Sequence, residues 1–418
     1  MIHVGWVCAA MLAVFALTTF AARWPLPLTL LLSAVIGALL AGFGVPFRHL
    51  VEGGFGYLNL ILALFAGAVF GQVMRVSGAA DALADCVAAL NARVLPLLLS
   101  GILLFVTGMF TGIAGVAVIA AGAFAAPLLQ RAGLTLPSSA AYIALMGTLG
   151  MIAPPLNVPA MVMADGVNMP YAGFALSLWT LSLPTALFAF ATFTRRASRS
   201  VSTAGRLSVS KYRALAGAAT ILAVIVFWAI VRYRPDVVFD PSIPLVLVIA
   251  SLVGVFMLAA RDWMHVARSV FSGTPLFLAA VLVAVGVLVQ VMTLTGVRGW
   301  LVIAAMSFQT PWVFGALVGI PLLGGVLTAI GTANSLGVPF AFAFIHQDMI
   351  LNISALSAIA ALSEFCPPTA ISTVLAAYVV GEERLWPIIR AALPSLGVLT
   401  VLSLAMLAFA SGLAPYLR

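Results

Sequence analysis

Long apolar segments with few charges follow one another along almost the whole 418-residue chain. Hydrophobic residues make up 64% of the chain and charged residues 7%, which excludes a soluble domain because its surface would lack polar groups. A bilayer core is crossed by about 20 apolar helical residues. The apolar segments are 4–22, 26–45, 56–76, 95–130, 138–164, 171–194, 213–231, 241–260, 271–295, 310–345, 353–380 and 386–412. Composition therefore predicts an all-α polytopic membrane protein.

The first apolar segment, 4–22, could be a signal sequence. It has no cationic leader and no convincing small-residue cleavage site, so we interpret it as a retained helix. The three cysteines lie far apart and indicate neither a disulfide framework nor a metal site. The net charge of +8 comes from arginines between apolar segments, where they act as topology signals, and no nucleic-acid partner is expected.

Two proline pairs interrupt apolar segments at matching places. Pro154-Pro155 lies in the segment 138–164, and Pro367-Pro368 lies in the segment 353–380. Proline removes a backbone donor and clashes with the preceding helical turn, so each pair should break a helix. Broken backbone inside a bilayer is tolerated only against protein or a polar cavity, and matched breaks in two halves point to the binding site of a secondary transporter.

Two segments, 95–130 and 310–345, are too long for one crossing and contain Gly/Thr-rich interruptions. Each could be two full helices or a re-entrant hairpin. Hairpins are favoured because about ten crossings then place most arginines on the side of the polar stretch 195–213, which the positive-inside rule assigns to the cytoplasm. Both termini would then be external.

The two halves of the chain resemble each other. Gln72-Val73-Met74 recurs as Gln290-Val291-Met292, and each is followed at equal spacing by Ser or Thr, Gly and Leu. Gly108 and Thr111 likewise correspond to Gly325 and Thr328 in the second half. We predict a first repeat at 1–200, a cytoplasmic linker at 201–212 and a second repeat at 213–418. About five crossings per half invert the second repeat, as in alternating-access transporters.

Each repeat should contain one hairpin (about 95–130 and 310–345) and one broken helix (about 138–164 and 353–380). If the hairpin tips face the breaks, each half forms one pocket near the middle of the membrane. Helix N-termini there can hold a carboxylate, while carbonyls and hydroxyls can hold Na⁺. Candidate substrate-binding residues are Thr111, Gly112, Asn157, Thr332, Asn334 and Thr369. Candidate cation-binding residues are Gly115, Thr148, Gly150, Thr328, Gly331, Ser335, Ser363 and Glu364. For any single glycine, close helix packing is the stronger interpretation.

Glu364 is the one acid well inside an apolar segment. Burying a charge there is costly unless it is paired. Its carboxylate could bind a cation, carry a proton, or cap the freed N–H groups of its own broken helix. The chain has no metalloprotease, nucleophile-elbow or P-loop motif, so we expect no enzyme activity and a carrier driven by an ion gradient.

The run Gly108-Met109-Phe110-Thr111-Gly112, followed by Gly147-Thr148-Leu149-Gly150 and then Pro154-Pro155, resembles the large membrane subunit of TRAP (tripartite ATP-independent periplasmic) transporters. That subunit belongs to the wider ion transporter superfamily. The resemblance implies a scaffold and a mobile transport domain that move by an elevator mechanism in the bacterial inner membrane.

The resemblance also implies Na⁺-coupled uptake of a small organic acid. The acid would be delivered by a periplasmic substrate-binding protein, and a separate small four-helix membrane subunit would be a partner. Two alternatives stay open: a self-sufficient Na⁺- or H⁺-coupled carboxylate carrier of the same superfamily, and a non-transporting membrane scaffold. The polar residues at both breaks argue against a scaffold, which has no need of them.

Overall fold

The protein is helical throughout the part that the structure describes. The structure is a computed structural model and describes residues 2–90, 94–197, 211–233, 242–307, 328–344 and 347–417, in which no strand is present. Six helices within these ranges are long and apolar enough to cross a membrane: His3–Ala21, Leu58–Val76, Ala114–Arg131, Ala175–Arg196, Thr274–Leu294 and Leu385–Ala408. The prediction of an all-α, multi-pass membrane protein is confirmed at this level.

Ten helices make up the described part of the first half. They are α1 (Ile2–Ala16, extended by a π-helical turn Leu17–Ala21), α2 (Leu26–Leu40), α3 (Phe47–Phe55), α4 (Leu58–Val76), α5 (Ala79–Ala88), α6 (Leu95–Thr111), α7 (Ala114–Arg131), α8 (Leu136–Ile152), α9 (Val158–Gly166) and α10 (Ala175–Arg196).

The described part of the second half continues the same series. Its helices are α11 (Lys211–Tyr233), α12 (Ile243–Ser251, followed by a 3₁₀ turn Leu252–Phe256), α13 (Ala260–Val270), α14 (Thr274–Leu294), α15 (Val297–Met306), α16 (Ala329–Thr332, followed by a π-helical turn Ala333–Gly337), α17 (Val338–Ala343), α18 (Met349–Ala361, followed by a 3₁₀ turn Leu362–Phe365), α19 (Ile371–Val380), α20 (Leu385–Ala408) and α21 (Ala410–Leu417).

Familiar sequence signals set many helix boundaries. Proline occupies one of the first two positions of α2, α6, α8, α9, α12 and α14, where its missing N–H costs no hydrogen bond. The Thr135 side chain caps α8 by accepting from the N–H of Ser138. Gly112 and Gly381 end α6 and α19 in the left-handed conformation, with φ of 65° and 83°.

The apolar segment 95–130 forms two helices, α6 and α7, which pack against each other and turn at Gly112 and Ile113. Close contacts fix α7 to α4, because a Cβ on Gly71 would lie 2.7 Å from the carbonyl oxygen of Ile119. Part of the segment 310–345 lies outside the described residues, namely 310–327 and 345. Gly325, which was predicted to match Gly108, falls in that part. Its described part is α16, the π-helical turn and α17.

Both proline pairs lie between two helices. Residues 153–157 separate α8 from α9, and residues 366–370 follow the 3₁₀ turn and separate it from α19. Both pairs contain a cis peptide bond. The interrupted pieces, among them Leu136–Ile152, Met349–Phe365 and Ile371–Val380, are therefore shorter than the six continuous spans.

The packing of the two halves is reciprocal. Helices α2 and α3 of the first half pack on α14 of the second, and α1 contacts α15. Helices α12 and α13 of the second half pack on α4 of the first, and α11 contacts α5. Each set becomes the other when the two halves are exchanged. The short helices α3 and α13, of 9 and 11 residues, lie in the intervals between predicted apolar segments, where no helix was predicted from the sequence.

Candidate functional site

A small cavity lies where the first hairpin, both broken helices and the described part of the second hairpin come together. We call it the tip cavity. It is lined by Leu60, Leu64, Ile113, Ala114, Gly115, Val116, Met151, Leu282, Thr328, Ile330, Glu364 and Ile371. Its volume of about 30 Å³ is enough for a water molecule or a small ion. The sequence predicted one pocket in each half, whereas residues of both halves share this cavity.

The C-terminal ends of α6 and α8 lie side by side. Near the start of both helices, the Tyr142 hydroxyl donates to the Leu97 carbonyl at 3.0 Å. Towards their ends, a Cβ on Gly108 would lie 2.6 Å from the Gly147 carbonyl oxygen, and one on Gly112 would lie 3.1 Å from that of Leu156. The two helices are thus parallel, and their carbonyl-bearing, partially negative ends are adjacent.

The N-terminal ends of α7 and α19 also lie side by side. A Cβ on Gly115 would lie 3.3 Å from Cγ2 of Ile371, and one on Gly122 would lie 3.3 Å from Cγ1 of Val379. These two helices are therefore parallel as well, and both begin at the tip cavity. Their N–H-bearing ends place partial positive charge there.

Glu364 joins two helix N-termini. One carboxylate oxygen accepts from the N–H of Ala329, the first residue of α16, at 3.3 Å. The other accepts from the N–H and the hydroxyl of Ser372 in α19, at 3.0 and 2.5 Å. The sequence left three roles open for Glu364, and these contacts correspond to the third, the capping of free helix N–H groups. A proton or cation role for Glu364 stays a prediction.

Asn157 closes the gap between α8 and α9. Its amide nitrogen donates to the Ile152 carbonyl at 3.1 Å and to the Ser357 hydroxyl at 3.0 Å. Its amide oxygen accepts from the N–H of Ala160 at 2.9 Å and so caps α9. The side chain is fully buried. It satisfies backbone groups on both sides of the break and ties that break to α18.

The described part of the second hairpin carries buried hydroxyls. Thr328 caps α16 by accepting from the N–H of Gly331 at 3.1 Å. The hydroxyls of Thr332 and Ser335 are buried, and neither has a hydrogen-bond partner among the described residues. Thr332 ends α16 and Ser335 lies in the π-helical turn, and buried polar atoms normally have partners. Their role as cation ligands stays a prediction.

Asn334 is bonded to an arginine. Nη2 of Arg298 donates to the Asn334 carbonyl at 2.8 Å and to its amide oxygen at 2.7 Å. Nη1 of Arg298 donates to the Thr293 hydroxyl at 3.1 Å. Arg298 lies on α15, so this charge-assisted pair ties the second hairpin to a neighbouring helix.

The other predicted residues are buried near the two breaks. Thr111 bonds within the hairpin tip, donating to the Thr107 carbonyl at 2.8 Å. The Thr148 hydroxyl is buried without a partner among the described residues. Gly150 lies against the Phe105 backbone. Ser363 donates to the Ala360 carbonyl at 2.7 Å, and Thr369 is 2% exposed.

Arg298, Ser357 and Ser372 were not singled out from the sequence. Ser357 and Ser372 are ordinary serines in apolar segments, and nothing in their local pattern reports a partner far along the chain. Arg298 did leave a signal. The two repeats match through Ser77-Gly78 and Thr295-Gly296, but the first repeat then has Ala80 where the second has Arg298.

Comparison with protein-family models and with curated proteins finds no match for the chain.

Proposed function

We propose that this chain is the transport subunit of a Na⁺-coupled secondary transporter that imports a small organic acid by an elevator-type alternating-access mechanism. The observation that carries the proposal is the meeting of helix ends at the tip cavity. Two parallel helix C-termini, those of α6 and α8, lie at one break, and two parallel helix N-termini, those of α7 and α19, open at the cavity. Such ends suit a cation and a carboxylate respectively.

Buried oxygen atoms support the cation part of the proposal. The hydroxyls of Thr148, Thr332 and Ser335 have no partner within the described ranges. Hard cations such as Na⁺ are held by carbonyl and hydroxyl oxygens at broken helices. Across the described ranges no group of three or more His, Cys, Asp and Glu side chains is placed to hold a metal ion.

Reciprocal packing supports the inverted-repeat and elevator parts of the proposal. Helix α2 of the first half packs on α14 of the second, and the equivalent helix α12 of the second half packs on α4 of the first. A separate apolar cluster of α1, α2 and α14 lies apart from the main core that holds the first hairpin and both breaks. The α1, α2 and α14 cluster would belong to a scaffold, and the main core largely to a transport domain. The whole chain would make about ten crossings, with both termini external.

The test of coupling is uptake into proteoliposomes under imposed ion gradients. We expect uptake of small carboxylates to require an inward Na⁺ gradient and to be unaffected by a proton gradient alone. Undiminished uptake without Na⁺ would reject Na⁺ coupling and favour an H⁺-coupled carrier.

The proposed partners follow from the resemblance to TRAP transporters: a periplasmic substrate-binding protein and a small four-helix membrane subunit in the bacterial inner membrane. Uptake should therefore require both partners. Robust uptake by the purified chain alone would reject the tripartite assignment and select the self-sufficient carrier. Failure of every preparation to take up any carboxylate would favour the non-transporting scaffold.

A further inference from the structure

A second cavity lies between α4, α5, α7, α13 and α19. We call it the polar cavity. It is lined by Gln72, Arg75, Val76, Ala80, Asp81, Ala123, Ala126, Pro127, Gln130, His265, Val379 and Val380. Its volume of about 450 Å³ lies in the range of small-molecule sites. Nothing in the proposed site above uses it.

The polar cavity and the tip cavity lie along the same three helices. Near their beginnings α4, α7 and α19 line the tip cavity, and near their ends they line the polar cavity. Between the two cavities α4 and α7 are in close contact. A Cβ on Gly67 would lie 2.8 Å from Cγ2 of Ile119, and a Cβ on Gly71 would lie 2.7 Å from the Ile119 carbonyl oxygen. The two cavities are thus successive spaces along one interface, separated by a closed stretch.

A single hydroxyl links the helices on three sides of the polar cavity. Tyr378 on α19 accepts a hydrogen bond from Nε2 of Gln72 on α4 at 2.8 Å. The same hydroxyl approaches the carbonyl of Ser269 on α13 at 3.4 Å. The Gln72–Tyr378 link therefore joins α19, which begins at the tip cavity, to helices outside the hairpin and breaks.

The charges around the polar cavity suit an anion. Arg75 lines it as a positive charge, and the His265 ring and the amide groups of Gln72 and Gln130 add hydrogen-bonding groups. The lining carboxylate, Asp81, lies 3.5 Å from Nη2 of Arg131, which also pairs with Asp85 at 2.9 Å. Arg75, Arg131 and Arg268 stand near this end of the helices, which the positive-inside rule assigns to the cytoplasmic side.

We propose that the polar cavity is the inner vestibule through which a carboxylate leaves for the cytoplasm, and that the Gln72–Tyr378 link closes its deep end. This inference rests on the proposed transport function. Tyr378 acts here as a positioning residue: breaking its bonds lets α19 and the hairpin separate from α4 and α13, which connects the vestibule to the tip cavity.

Thiol labelling tests the vestibule without knowledge of the solute. In a chain whose three native cysteines are replaced by alanine, Gln130→Cys should react with a membrane-impermeant reagent from the inner face and not from the outer face. Gln130→Cys should react faster with an anionic sulfonate reagent than with its cationic trimethylammonium analogue. This rate ratio should exceed the ratio for a chain that retains only the exposed Cys86, and Arg75→Gln should reduce it. Labelling from the outer face, or preference for the cationic reagent, would overturn the vestibule.

Removal of the hydroxyl tests the link. With Ile113→Cys as reporter in the tip cavity, Tyr378→Phe should raise inner-face labelling about three- to tenfold, the effect of losing about one hydrogen bond from a closed state. Tyr416→Phe, at an exposed tyrosine on α21, is the matched control and should change nothing. Gln72→Leu should raise labelling similarly, and the double variant should add little to either.

Unchanged labelling in both Tyr378→Phe and Gln72→Leu would reject the link. These readouts separate the inference from the proposed function. Absence of carboxylate uptake with inner-face labelling intact would sink both the transport proposal and the carboxylate route, and would leave only a polar cavity open to the inner face and closed by the Gln72–Tyr378 link.

Discussion

Asn157 illustrates how one side chain can make a break tolerable inside an apolar segment. A broken helix frees carbonyls at one end and N–H groups at the other, and neither finds water in a bilayer. The Asn157 amide has one donor group and one acceptor, and the structure uses the donor on Ile152 and the acceptor on Ala160. An amide is suited to this task because it presents both kinds of group at once.

Replacement of Asn157 should therefore separate its two functions. Asn157→Ala leaves both the Ile152 carbonyl and the Ala160 N–H unpaired, at about 1–3 kcal/mol each. Asn157→Asp keeps the cap on Ala160 but sets a buried carboxylate oxygen against the Ile152 carbonyl, which is costly. We expect the thermal midpoint in detergent to fall in both variants, and uptake to fall with it while membrane insertion is retained. Equal midpoints for all three proteins would contradict the bridging role.

Glu364 gives a second test at the scale of the residue. If its carboxylate caps α16 and α19, Glu364→Gln should lose one cap and weaken the other, because the glutamine nitrogen cannot accept from an N–H and the glutamine oxygen carries no full negative charge. Uptake should become slower at every pH while keeping its dependence on Na⁺. Measurement of initial uptake rates against pH and Na⁺ concentration checks this. A variant that loses only proton-driven uptake would instead identify Glu364 as a proton carrier.

The hairpin element depends on close approach of α6 to α8. Gly108 and Gly150 meet backbone atoms of the other helix, with no space for a Cβ. Contacts of this kind are typical of small residues between membrane helices. They also hold the two helix C-termini together at the proposed cation site.

Gly108→Ala should accordingly force α6 from α8. We expect a loss of about 1–3 kcal/mol through overpacking, seen as a lower thermal midpoint, and weaker Na⁺ dependence of uptake. The matched control is Gly397→Ala in α20, where an added Cβ meets nothing within 4 Å. That change should be neutral or stabilising by helix propensity. Equal midpoints in the two variants would show that α6 and α8 can separate without cost.

At the scale of elements, the sequence predicted what is decided locally. Proline pairs have local consequences for hydrogen bonding, and both pairs do lie between helices. Apolar length located five of the six span-length helices of the described residues within a few residues, whereas the sixth, α7, was predicted as an arm of a re-entrant hairpin. The arrangement around the tip cavity depended on packing between residues 200 or more positions apart, as in the Asn157–Ser357 bond. No local pattern could therefore reveal that Gly115 and Glu364 line one cavity, or that Arg298 binds Asn334.

For the whole molecule, the central prediction concerns orientation. The linker and the C-terminus should lie on opposite sides of the membrane if about five crossings occur in each half. Ser202→Cys should be labelled from the cytoplasm and Arg418→Cys from the exterior; both positions lie outside the described residues. Labelling of both from one side would remove the inverted repeat from the proposal.

Reciprocal packing of the halves has a consequence for biogenesis. While the first half is being synthesised, α4 lacks α12 and α13, and α2 lacks α14, so its apolar surfaces stay in contact with lipid or an insertion factor until the second half emerges. A fragment of residues 1–200 made alone should be degraded rapidly. Co-expression with residues 201–418 should rescue it, because each fragment supplies the surface that the other one buries.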